Sequence, residues 1–203
     1  MEFIWLWMGV MFPLVFSPGP ANLVFATSGA SVGFIRSLPL VFGVDLVFIL
    51  QSVLVGFGFG TVLQSHPIIL QSFQMIGAIY LVYLATGFLK TTKSAELKNS
   101  RSFSFVDGVV VQILNAKGWV MIALMYSLFS VSSQEVFGSA SVIALIVMLA
   151  ILNISVHLVW VKLGATLQLL MTNEKMRQRM DYFYAFSLLL VAAWLIIDNS
   201  IWY

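Results

Sequence analysis

Apolar residues run through this chain in stretches of membrane length, separated by short groups of polar residues, prolines and glycines. A helix needs about 20 apolar residues to cross a hydrocarbon layer of about 30 Å. Six stretches meet that length and are predicted to be helical spans: Phe3–Ala26, Pro39–Leu63, Ile68–Leu89, Phe105–Phe129, Val136–Val161 with an extension towards Met171, and Phe183–Ile201. Ser37-Leu38-Pro39 and Ser65-His66-Pro67 place a capping serine and an early proline ahead of the second and third spans. Trp5, Trp7, Trp202 and Tyr203 stand where interfacial aromatic belts belong.

Two of these spans carry interruptions. Ser17-Pro18-Gly19-Pro20-Ala21-Asn22 breaks the first, and Asn115-Ala116-Lys117 breaks the fourth at a comparable place. An unwound turn at membrane depth frees N–H and C=O groups that hydrocarbon cannot satisfy, so they must face protein, water or a ligand. Broken helices at corresponding positions of two halves point to a transporter's binding site. The hydrophilic stretch Thr91–Ser104 divides the chain, with three spans on either side. An odd number per half forces the halves into the membrane in opposite senses. The expected fold is an all-α integral membrane protein, a single transport domain over the whole chain. Its six transmembrane helices form an inverted 3+3 repeat, with the first and fourth helices broken. The first half ends near Lys90 and the second begins near Phe105.

Charge orients the spans. Arg36 lies in the first loop, Lys90, Lys93, Lys98 and Arg101 around the third, and Lys162, Lys175, Arg177 and Arg179 around the fifth. Loops two (Gln64–Pro67) and four (Ser130–Glu135) carry no Lys or Arg. Odd loops are therefore cytoplasmic and both termini outside. No basic segment precedes the first apolar run, which is read as a retained span rather than a cleaved signal.

Composition agrees with the membrane class. Charged residues make up 9% of the chain against about a quarter in soluble domains, and the mean hydropathy is +1.01. A net charge of +2, without a basic patch, argues against a nucleic-acid partner. The absence of cysteine removes disulfides and thiolate metal sites, and two histidines make a poor metal path. No zinc-protease, nucleophile-elbow or Walker motif occurs, so an enzyme is not expected and no cofactor is implied. Transport energy would come from a gradient.

Asp45 lies inside the second span, where an acid usually marks a substrate or proton path. The alternative is a shallow residue that caps a helix or pairs with Arg36. Lys117 is placed to meet a bound carboxylate or to neutralise Asp45, or to snorkel to the interface. Asn115 is suited to bonding unwound backbone or a ligand. The turn Pro18-Gly19-Pro20 starts a half-helix, with Asn22 on its first turn, whose N-terminus favours an anionic group. Asn153 and His157, four apart, share a helical face in the fifth span; a histidine there either passes protons or bonds between helices. Gln51, Ser52, Gln112 and Ser155 read as packing or interhelical bonding groups. Gly56-Phe57-Gly58-Phe59-Gly60 permits close helix approach, and Lys175-Met176-Arg177-Gln178-Arg179 reads as a lipid-surface anchor.

These residues resemble the LysE/RhtB superfamily of amino-acid exporters. The family's Pro-Gly-Pro followed by Asn or Asp is similar to Pro18-Gly19-Pro20-Ala21-Asn22, and its loop-one Gly-Phe-Arg-x-Gly to Gly33-Phe34-Ile35-Arg36-Ser37. Its third-span Gly-Ala-x-Tyr-Leu-x-Tyr-Leu resembles Gly77-Ala78-Ile79-Tyr80-Leu81-Val82-Tyr83-Leu84. Its Gln-x-x-Asn-Pro-Lys resembles Gln112-Ile113-Leu114-Asn115-Ala116-Lys117. Ala116 replaces the usual proline, as in the cysteine and O-acetylserine exporter branch, so a milder second bend is expected. The resemblance implies a multi-pass protein of the bacterial cytoplasmic membrane that exports small amino acids or derivatives. Proton antiport with Asp45 and His157 as coupling groups is the expected mechanism, with membrane lipid and protons as partners and a homodimer left open. A passive channel for a small polar solute is the alternative.

Overall fold

The structure, a computed structural model, describes residues 2–17, 19–59, 65–93, 103–170 and 174–197. Among these residues all regular structure is helical: α1 (Glu2–Phe16), α2 (Pro20–Val32), α3 (Phe34–Leu54), α4 (Pro67–Lys93), α5 (Phe105–Ile113), α6 (Ala116–Phe137), α7 (Ser141–Leu170) and α8 (Glu174–Ile197). A π-helical turn, Val55–Phe59, follows α3, and a 3-10 turn, Gly138–Ala140, joins α6 to α7. The order repeats: a broken helix, then two continuous ones, in each half.

Polarity is distributed as in a membrane protein. Phe42, Ile79, Val131, Phe186 and Trp194 point outwards, while Asn22, Asp45, Gln51, Gln112, Asn115, Asn153 and His157 are buried. In water such a surface would be an aggregation liability; in lipid it costs nothing. Phe34–Gly58 and the run Ala116–Thr166 are each long and apolar enough to cross a membrane, and α1 with α2 form a third such unit bent by 61°. Where the third and sixth spans are expected the chain is helical, as α4 and α8, of 27 and 24 residues. The described apolar part of α8 is Tyr182–Ile197.

Several expected boundaries move. Ser37 does not cap the second span, because α3 already starts at Phe34, after Gly33. Gly33 has a φ of 83°, open to glycine at little cost, so one residue turns the chain between α2 and α3. The Ser37 hydroxyl instead donates to the Gly33 carbonyl and accepts from Ser28 Oγ, both at 2.8 Å. Loop four also shifts: Ser130–Glu135 is helical, and the turn falls at Gly138, whose φ is 57°. Ser133 donates back to the Ser130 carbonyl at 2.9 Å, so its hydroxyl is satisfied inside the helix. Pro67 opens α4 as expected. Pro18, Lys98, Arg101, Met171, the end of the second span at Leu63, and the terminal Ile201, Trp202 and Tyr203 lie outside the described residues.

Glycines set the closest helix crossings. A Cβ on Gly29 of α2 would run into the Val161 carbonyl of α7, and one on Gly164 into the Ala26 carbonyl. Gly43 of α3 and Gly108 of α5 meet in the same way, against the Phe105 and Leu40 carbonyls. Backbone touches backbone at both places, the means by which helices associate where no hydrophobic effect drives them together. Two apolar clusters fill the rest. One gathers Phe25, Leu40, Leu84 and Leu188, the other Trp7, Met11, Met125 and Leu145.

Candidate functional site

Both expected interruptions are present, and they touch. α1 ends at Phe16 and α2 begins at Pro20, with Gly19 extended ahead of it. The second break is complete despite Ala116: Asn115 has ψ 87° between α5 and α6. No proline is needed, because side chains take over the carbonyls that the unwound turn releases.

The carbonyl inventory shows how. At the first break Ser17 Oγ donates to the Leu14 carbonyl (2.9 Å), while Asn22 Nδ2 donates to the carbonyls of Val15 (2.9 Å) and Ser17 (3.0 Å). Lys117 Nζ crosses from the other half to donate to the Ser17 carbonyl and hydroxyl, both at 2.8 Å. At the second break Gln51 Nε2 donates to the Gln112 carbonyl (3.1 Å) and Trp119 Nε1 to the Ile113 carbonyl (3.0 Å). Each break is thus stabilised by a donor from the opposite half: Lys117 for the first, Gln51 for the second.

Lys117 has room because Gly19 has no side chain. A Cβ there would stand 3.0 Å from Lys117 Cδ and 3.2 Å from Nζ. The ammonium lies at the C-terminal, partially negative end of α1, a favourable place for a cation. It does not pair with Asp45, the partner considered from sequence.

Asp45 is instead held by α7. Its Oδ1 lies 2.8 Å from His157 Nδ1 and 3.2 Å from Asn153 Nδ2. Facing an ionised Asp45, which only accepts, His157 would donate from Nδ1 and keep Nε2 for other chemistry. The Phe25 ring packs on the imidazole, with centroids 4.3 Å apart. Asp45 is therefore buried between helices and bonded to α7, not paired with Arg36.

A cavity of about 20 Å³ is lined by Gly19, Pro20 and Asn22 from α2, by Asn115, Lys117 and Gly118 at the start of α6, and by Gln112, Asn153 and His157 among others. Asp45 does not line it but is bonded to two residues that do. The N-termini of α2 and α6 both border this space; Pro20 has no N–H, and at α6 the Ala116 N–H donates to the Leu114 carbonyl (3.1 Å) and the Gly118 N–H to the Asn115 carbonyl (2.9 Å). A second cavity, also about 20 Å³, lies on the other side of Pro20 and Lys117, against Gly77, Tyr80 and Leu114. A Cβ on Gly77 would stand 2.7 Å from the Leu114 carbonyl, so this glycine lets α4 reach the second break. Tyr80 donates to Asp107 at 2.7 Å, and Asp107 completes a capping box with Ser104 at the start of α5.

Of the residues expected from sequence, Gly19, Pro20, Asn22, Asn115, Lys117 and His157 line one chamber, with Asp45 directly behind. Pro18 lies outside the described residues. Ser17, which the sequence marks only as part of the first break, meets Lys117 through both its carbonyl and its hydroxyl, and the carbonyl half of that contact has no sequence signature. Gln51 and Gln112 were read as interhelical bonding groups, and they do bond across helices; their place at the break is visible only in three dimensions. Ser52 and Ser155 bond their own helices, at the Phe48 and Ile151 carbonyls.

The buried polar groups of this helical, apolar-surfaced protein thus converge on two facing helix breaks. The chain is a member of the LysE-type translocator family, whose model matches residues 12–199. No curated protein and no solved structure matches it.

Proposed function

We propose that this protein exports small amino acids or close derivatives from the bacterial cytoplasm by proton antiport, through six spans arranged as an inverted repeat. The observation that carries the reading is the bond from Lys117 Nζ to Ser17, which joins the two interruptions in one polar chamber. A zwitterion needs two opposite poles. Its carboxylate suits the N-termini of α2 and α6 together with Lys117, which would leave Ser17 for the substrate. The proton path suits His157 and Asp45: His157 Nε2 takes up or releases the proton and Asp45 holds the ring and stabilises its charged form.

A cavity of about 20 Å³ holds roughly one water molecule, not an amino acid. That favours a carrier seen closed around its site over a standing pore. Loading then requires the halves to part, as alternating access demands.

The test is efflux of the twenty proteinogenic amino acids from cells with and without the protein, with and without an imposed proton gradient. The expected result is release of at least one amino acid that stops when the gradient is collapsed. In proteoliposomes, counterflow should be accelerated by unlabelled substrate on the far side, which a passive channel does not show. Asp45→Asn should lower gradient-driven export by about tenfold or more, the usual scale for losing a buried charged hydrogen-bond partner. Export equal to wild type at matched expression would remove Asp45 from the mechanism.

A further inference from the structure

One buried acceptor in the chamber has no protein partner. Asn115 Oδ1 is fully buried without a hydrogen bond, and the residue is only 8% exposed and lines the cavity. Buried polar atoms are rarely left unpaired, so such an atom needs an explanation.

The explanation starts two residues away in space. Gln51 Nε2 donates to the Gln112 backbone carbonyl, and Gln112 Nε2 donates to Gln51 Oε1 at 2.7 Å. Asn115 Nδ2 in turn donates to Gln112 Oε1 at 3.2 Å. Amide oxygen and nitrogen are easily exchanged in assignment, but here the order is forced. A backbone carbonyl can only accept, so the Gln51 nitrogen must face it. The Gln51 oxygen then faces Gln112 and requires its nitrogen there. The Gln112 oxygen is thereby turned towards Asn115 and requires the Asn115 nitrogen. Only the Asn115 oxygen is left over, buried on a residue that lines the cavity. Gly118 leaves space for this ladder, since a Cβ there would stand 2.5 Å from Gln112 Nε2.

We propose that Gln51 and Gln112 are positioning residues that lock Asn115 with its oxygen towards the chamber, as the acceptor for the ammonium group of the transported molecule. The proposal rests on the carrier reading for the ligand's identity, and on the ladder alone for the fixed amide. It gives the chamber an oriented carbonyl two residues from Lys117 at the start of α6, so that an acceptor and a cationic donor stand side by side for the two poles of one small zwitterion. A solute with a carboxylate but no N–H donor would leave the acceptor empty and bind less well.

Two measurements test it. The first needs no substrate: solid-state NMR of the full-length protein in bilayers, labelled with 15N-asparagine and 13C-glutamine. Wild type should show a through-space contact between Asn115 Nδ2 and Gln112 Cδ that Gln51→Met abolishes while the rest of the spectrum persists. Absence of that contact in wild type would overturn the ladder whatever the transport result. The second uses the amino acid with the largest efflux among the twenty, in proteoliposomes. Gln51→Met should raise KM about tenfold with little change in maximal rate, the effect of one weakened hydrogen bond. Asn115→Asp should fail in the wild-type ladder, where its second oxygen opposes Gln112 Oε1. It should recover in part when combined with Gln51→Met, because Gln112 is then free to turn. Additive losses in the double variant would refute the positioning role. Release of none of the twenty amino acids by wild type would overturn the carrier reading and the ammonium assignment, while the NMR contact judges the ladder separately.

Discussion

At the scale of single residues, the site depends on a lysine that fits because a neighbouring glycine has no side chain. Gly19→Ala would put a methyl group 3.0 Å from Lys117 Cδ and 3.2 Å from Nζ, so the lysine must shift by a few tenths of an ångström at its bond to the Ser17 carbonyl. We expect transport to fall at least several-fold with normal membrane insertion, measured as efflux per folded protein. Lys117→Met should abolish it. Asp45, Asn115 and Lys117 were legible in the sequence because an ionised or amide group amid apolar residues has few inexpensive explanations. Their partners were not. The lysine meets a main-chain oxygen, which has no letter of its own, and Asp45 finds Asn153 and His157 more than a hundred positions away. The four-residue spacing of Asn153 and His157 did indicate that they act on one face, and both reach Asp45.

At the scale of elements, glycine placement decides which helices cross closely. Gly29 with Gly164, and Gly43 with Gly108, bring carbonyls of the neighbouring helix to where a side chain would begin. Replacing Gly29 or Gly108 by leucine should destabilise the fold by about 1–3 kcal/mol or more, the range for overpacking a filled interface. A lowered midpoint of thermal unfolding in detergent would show it. Gly9→Leu, which meets nothing within 4 Å, is the control and should leave the midpoint unchanged. Helix existence was readable from apolar length alone. Helix ends were not, because Gly33 and Gly138 turn the chain through positive φ while the prolines and serines nearby stay inside helices. The second break was legible as a place but not as a depth, since Gln51 and Trp119 supply from outside the segment what a proline would have imposed within it.

At the scale of the whole molecule, the charge asymmetry among loops makes a topological prediction that the composition makes easy to test. There is no native cysteine, so single introduced thiols report without background. Ser65 and Ser139 are both exposed, in the second and fourth connections, whereas exposed Thr166 lies towards the fifth. With both termini outside, Ser65→Cys and Ser139→Cys should react with an impermeant maleimide in intact cells, and Thr166→Cys only after permeabilisation. The reverse pattern would invert the molecule. An apolar groove of about 650 Å³ between α1 and α7, bordered by Trp7, Phe12, Met148 and Ile151, contrasts with the tight α2–α7 crossing further along the same pair of spans. That pair therefore forms a wedge, loose at one end and fastened at the other, and it was invisible in the sequence because it depends on which faces meet. The exchange of donors between the halves also bears on how the protein is made. While the ribosome has delivered only the first half, the Ser17 carbonyl has Asn22 but not yet the lysine of the second half, and Gln51 awaits an oxygen that does not yet exist. A nascent chain stopped before the second break should accordingly be recognised by membrane quality control and degraded, and co-expression of the missing half should rescue it.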